Sequence, residues 1–271
     1  MINLNLLKTL NIGKKTRFMI FSLFVVVLLL AVSYTQGFAR FASTILVFAV
    51  VFIGTYVTQV PNINKSNFIP VLLLPLHLVG GALLSLQYFP NLGFLVKILA
   101  IVLVGALLYI LSLVNNIFFV ASENEKTIPL FRVAVTWNNI LLIITAIPFF
   151  AGIFKVDINS FIQNLIVSIS SFLFAIYLIK TEEVEDGARQ IGAGERLVLS
   201  FRVMFIVFAL STAVSFFPTE SFLRSLFVSS ILMGTLDYTQ SHCRNSLNKK
   251  HIVEYVLIAL TFFLILIVFK P

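Results

Sequence analysis

Apolar stretches long enough to cross a lipid bilayer follow one another along almost the whole chain, with only short polar turns between them. Nine can be marked, at 18–36, 42–60, 68–88, 94–121, 129–154, 159–179, 197–217, 220–240 and 251–269. At 1.5 Å of rise per residue, about 20 residues cross the roughly 30 Å hydrocarbon core of a membrane. Backbone N–H and C=O groups in lipid must find partners inside their own segment, so such stretches form helices. Barrel strands would be half as long and would alternate in polarity. Composition agrees: 59% of the residues are hydrophobic and 11% charged, against roughly 25% charged in a soluble domain. Mean hydropathy is +1.05, and 29 phenylalanines are more large rings than a soluble core of this length can use. The expected fold is an all-α polytopic membrane bundle of nine transmembrane helices. A basic N-terminal segment, 1–17, precedes a single helical domain, 18–271.

The eighth stretch is the least apolar, with Glu220, Arg224 and Asp237 inside it. Loop charge argues for retaining it. With the N-terminus inside and nine spans, only Arg40, Lys97, Lys155, Arg224 and Lys270 of the 19 Lys and Arg fall on the outer side. Omitting the eighth span would move Arg244, Lys249 and Lys250 outward and weaken the inside excess of positive charge. The expected topology is therefore N-in, C-out, in a cell membrane. The formal net charge of +8 arises at segment ends rather than on one patch, so it is read as a topology signal and not as a nucleic-acid surface. The single cysteine, Cys243, excludes an intramolecular disulfide and any zinc site built on several thiolates.

The first span has features of a secretory signal, with basic residues ahead of an apolar run and Ala31-Val32-Ser33 as a small-x-small site. Its length and the eight spans that follow favour a retained helix. Ile2, Leu6 and Leu10 at helical spacing suit a short interfacial helix, although a disordered leader reads equally well. The longest loop, 180–196, carries five acids against three bases and is too short for a domain; it reads as a solvated connector.

Polar and ionisable side chains inside a span are costly, so each is a candidate for function. His77 lies near the middle of the third span, beside Pro70, Pro75, Gly80 and Gly81. That composition predicts a kink or break between Ile69 and Gly81, with His77 facing protein. A broken helix with a midplane histidine would suit a carrier; a packing helix whose histidine bonds a nearby carbonyl is the plainer reading. Asn116 on the fourth span and Arg132 and Asn139 on the fifth form a second group, where amides at similar depth can bond across antiparallel helices. A third group, Arg202, Asp237 and Glu254, lies toward the inner face on the last three spans. Burying charge requires pairing, so Arg202 is expected within about 6 Å of one of the two carboxylates. An enzyme would use Asp237 and Glu254 as acid and base or as metal ligands, joined by His242, His251 or Cys243.

Small residues at Asn164, Ser168, Ser171 and Ala175, and at Ser221, Ser225 and Ser229, read as close-packing faces. The sequence contains no HExxH, no GxSxG and no GxxxxGK[ST], and no cofactor or resident metal is expected. Three functional classes follow, in order: a non-catalytic membrane subunit or scaffold, a carrier of a small molecule or lipid built on His77, and an intramembrane enzyme acting on a lipid-linked substrate. The expected partners are the bilayer, other membrane subunits or a lipid ligand, with no nucleic acid.

Overall fold

A computed structural model describes residues 13–61, 63, 68–88, 93–124, 129–182, 191–244, 246 and 249–269. The interfacial helix expected within residues 2–12 and residues 183–190 of the 180–196 connector lie outside these. Nine helices make up the described residues: α1 Lys14–Ser33, α2 Gly37–Gln59, α3 Phe68–Tyr88, α4 Phe94–Asn124, α5 Pro129–Lys155, α6 Ser160–Glu182, α7 Ala193–Val214, α8 Ser221–Cys243 and α9 Lys249–Val268. The protein is all-helical, and α1 to α7 are long and apolar enough to cross a membrane. The two C-terminal helices differ from them for separate reasons. α8 is long but carries Arg224, Asp237, Gln240 and several hydroxyl residues. In α9 the described apolar stretch is shorter, Val253–Val268.

The polarity of α8 follows from its position. It packs against α5, α6, α7 and α9, so much of its circumference meets protein, and Ser225, Ser229, Thr239 and Gln240 are buried there. An interior helix has no need of lipid solubility on every face, which lowers its hydropathy without lowering its stability. The remaining helices form two connected groups. α1 to α4 pack on one another, α5 joins α3 and α4 to α8, and α6 lies against α3, α5, α7 and α8. α9 sits at the periphery, resting on α8.

α3 is the most enclosed of the apolar spans, its Val71–Leu74, Leu78–Val79 and Ala82–Leu83 all buried. It runs without interruption through Pro75, so of the kink or break expected between Ile69 and Gly81 the break does not occur. Proline removes one backbone donor, that facing the Val71 carbonyl, and neighbours on several sides hold the rest of the ladder in place. The glycines of α3 serve contact with α5 instead. A Cβ on Gly81 would stand 2.9 Å from the Phe149 backbone nitrogen, and one on Gly152 would collide with Leu84. Two backbones approach there as closely as small residues in membrane helices permit. Gly81→Leu is expected to cost about 1 to 3 kcal/mol by overpacking. It should lower the thermal midpoint of the detergent-solubilised protein, while Gly192→Ala, at a site open on every side, leaves it unchanged.

Candidate functional site

Chemistry concentrates on the C-terminal half of α8. Gly234 and Asp237 are three residues apart on one helical face. Gly234 lets α9 come close, since a Cβ there would lie 3.1 Å from the Cβ of Tyr255. The approach sets the Tyr255 phenol against the Asp237 carboxylate, within reach of a hydrogen bond. Further along α8, Gln240 donates through Nε2 to Glu182 Oε1 at 2.5 Å and accepts from Asn139 Nδ2 at 2.9 Å. Glu182, 1% exposed, is held in turn by Arg244, whose Nε lies 2.7 Å from its Oε2 and whose Nη2 lies 3.2 Å from its Oε1. A buried carboxylate requires this kind of bidentate cation and amide support. The chain Arg244–Glu182–Gln240–Asn139 thereby ties α8 to α6 and α5.

Two cavities flank the Asp237–Tyr255 contact. One of about 510 Å³ lies between α7, α8 and α9, with Arg202, Ser230, Asp237, Ser241 and Tyr255 among otherwise mostly apolar walls. Exposed Phe205 and Val256 form its lips, so it opens sideways on the flank of the bundle. A second, of about 320 Å³, lies between α5, α8 and α9 and shares Asp237 and Tyr255 with the first. The first also continues toward the other end of α8 into an apolar cleft of about 340 Å³, through the common residues Leu210, Ile231, Val256 and Ala259. The whole is a groove, polar at one end and apolar along its length. Its floor is α8 and its walls are α7 and α9.

The residues singled out from sequence are distributed unevenly around this site. Asp237 and Arg202 line the groove, and Asn139 lines the adjoining cavity. Glu254 is exposed and lines neither. Among the described residues no salt bridge joins Arg202 to Asp237 or Glu254, although Arg202 and Asp237 line the same cavity. Arg202 is exposed on the side of α7, while Asp237 faces Tyr255 on α9. Asn116 accepts from Lys14 Nζ at 3.3 Å in the C-terminal part of α4, and Arg132 is exposed. His77 lies remote from the groove. Its Nδ1 donates to the Leu73 carbonyl at 2.8 Å, and its ring sits between Phe149 and Phe174 with centroids 4.8 Å from each. This is a packed histidine whose Nδ1 is bonded within its own helix.

A metal-binding reading of the C-terminal end of α8 meets a dispersed set of side chains. His242 reaches Glu195 at 3.7 Å, and Cys243 is buried among Ile179, Ile191 and Leu199. His251's side chain lies outside the described residues. Among those described, no three His, Cys, Asp or Glu converge.

Two polar clusters escaped the sequence reading. Tyr177 of α6, 1% exposed, places its hydroxyl 2.7 Å from Asn138 Oδ1 and 3.1 Å from Asn115 Oδ1. A hydroxyl has one proton, so the second bond requires the Asn115 amide turned over. Its Nδ2, otherwise without an acceptor, then donates to the phenol oxygen. The echo VNNIFFV and WNNILLI marks this pair in the sequence, although the buried members are Asn115 and Asn138 rather than Asn116 and Asn139. At the opposite end of α6, Arg224 donates to Asn164 Oδ1 and, at 3.4 Å, to Gln163 Oε1, and lies 4.1 Å over the Phe154 ring. Asn164 also accepts from Ser211 Oγ at 2.7 Å. The Asn164–Ser168–Ser171 stripe is therefore a packing face with an arginine anchored at its end.

Neither a protein family, nor a curated protein, nor a solved structure matches this chain. The geometry of the groove is the ground on which function is argued.

The tie through Tyr177 is expected to couple three helices. In a double-mutant cycle of Tyr177→Phe and Asn138→Leu, unfolded in detergent–denaturant mixtures, the coupling should be about 0.6 to 2 kcal/mol, as for hydrogen bonds between membrane helices. A coupling of zero would mean that the phenol and the amide act independently.

Proposed function

We propose that this chain is a nine-span, N-in and C-out protein of a cell membrane, and that it acts as a non-catalytic subunit or scaffold that holds a lipid-like molecule in the α7–α8–α9 groove. The observation that carries this reading is the form of the groove. It opens sideways on a flank that carries exposed Phe205, Val256 and Leu260, and its one polar end is built from Arg202, Asp237 and Tyr255. A lateral opening admits a molecule already dissolved in the bilayer, whereas a polar solute would need a water path. A carrier built on a broken α3 loses its support, because that helix is continuous and His77 is wedged between two aromatic rings. An enzyme pairing Asp237 with Glu254 is disfavoured, because only Asp237 lines the groove.

The nine-span topology is supported by the sheltered position of α8 and by the basic residues that follow it. The orientation is tested at the α8–α9 turn. Cys243 is buried and is a poor reporter, so the probe belongs on exposed Ser246. In a Cys243→Ser, Ser246→Cys protein, a membrane-impermeant maleimide should label only permeabilised cells. Labelling of sealed cells would reverse the orientation or change the span count.

Lipid retention is tested by native mass spectrometry of the full chain in detergent. The wild-type protein should carry lipid adducts, and Ala259→Trp, which fills the groove where its two cavities join, should lose most of them. Leu99→Trp on the exposed face of α4 should retain them. Equal adducts on a folded Ala259→Trp protein, or none on the wild type, would refute the lipid-holding role.

A further inference from the structure

The polar end of the groove carries information about the head of the molecule it suits. Arg202 is nine residues into α7 and seven beyond Glu195, whose carboxylate meets His242. At 1.5 Å per residue it lies about 10 Å further along the helix than that ion pair. Asp237 lies five residues before His242 on antiparallel α8, at a similar level. Arg202 thus stands within the span, exposed along the groove, and no carboxylate pairs with it among the described residues. An arginine at such a level requires an anion or a route to the headgroups. Across the same cavity, Asp237 presents a carboxylate whose protein neighbour is the Tyr255 phenol. One cavity therefore offers a cation on one wall and an anion on its floor, with no salt bridge between the two.

From this polar end the apolar groove runs past Leu210 and Ile231 to Phe217, Phe227 and Phe263. Arg202 to Val214 covers twelve residues of α7, or about 18 Å of helix rise.

We propose that the groove selects a glycerophospholipid whose headgroup carries a phosphate followed by a primary ammonium. The phosphate meets Arg202, the ammonium donates to Asp237, and one acyl chain lies along α7 and α9. The guanidinium suits phosphate oxygens in forked geometry. A primary ammonium supplies the donors that the Asp237 carboxylate accepts, and a quaternary ammonium has none. This identification rests on the groove being a lipid site, as proposed above.

The test uses the full chain in nanodiscs of neutral phosphatidylcholine, into which short-chain phosphatidylethanolamine, phosphatidylglycerol or phosphatidylcholine is titrated and bound lipid is counted by native mass spectrometry. Wild-type protein should prefer phosphatidylethanolamine over both others by about tenfold, in line with charged hydrogen bonds. Arg202→Gln should weaken binding of phosphatidylethanolamine and phosphatidylglycerol by a similar factor, and Arg202→Lys should restore part of it. Asp237→Asn should abolish the preference for the primary amine over the choline head while leaving a lipid bound. Glycerophosphoethanolamine without acyl chains should not compete. If Ala259→Trp removes bound lipid but wild type and Arg202→Gln bind all three heads equally, the headgroup assignment fails and the groove remains a lipid site. If Ala259→Trp leaves binding intact, the lipid is annular and both readings fail.

Discussion

A helix too polar to face lipid must be enclosed by protein, and in this bundle that requirement falls on α8. Its burial between α5, α6 and α7 is made tolerable by polar partners at both ends, Arg224 with Asn164 and Gln163 at one and Gln240 with Glu182 and Asn139 at the other. An unsatisfied donor or acceptor in a dry interior costs more than the bond itself contributes, so each pairing acts mainly as a condition on where α8 can sit. Once α8 is interior, α6 and α7 are fixed around it, and α9 can lie only along the face that remains.

That remaining face explains the groove. α7 and α9 both pack on α8, and the space between them is a cleft with a polar floor and apolar walls. The same α8 residues that give it its polarity therefore include Asp237 on the floor of the lateral opening. Gly234 contributes by absence of a side chain, since it admits Tyr255 against Asp237. The N-terminal half of the bundle shows the complementary case. There, Gly81 and Gly152 bring α3 and α5 together closely, and His77 is absorbed into packing between Phe149 and Phe174.

Much of the fold is legible in the sequence because the bilayer applies a length and polarity rule to each segment separately. The helices lie close to the apolar stretches, whereas the buried amides of α4 and α5, Asn115 and Asn138, meet at Tyr177 of α6 rather than each other. The ionic partnerships were not legible in the same way. Glu182 stands at the end of a loop rich in acids and reads as solvated, yet it is almost wholly buried because Gln240 and Arg244 converge on it from α8. Arg224 reads as an outer-loop cation, yet Asn164 draws it inward. Conversely, Arg202 reads as half of an ion pair and stands without one among the described residues.

What the sequence by itself determined is local: helical segments, their lengths, the charge bias of their turns, and the presence of costly side chains that must be satisfied somehow. Hydrophobic length and the backbone's need for internal hydrogen bonds act within one segment, so one segment suffices to read them. The tertiary structure alone decided which costly side chains satisfy each other and which face an opening. Those outcomes depend on rotation of each helix about its axis and on contacts between residues as far apart as Asn139 and Gln240. A helical turn brings i, i+3 and i+4 together whatever the neighbours are, but it does not say which neighbour they will meet. That choice belongs to packing, and here it separated Arg202 and Asp237, both lining the groove, from His77, held in the core.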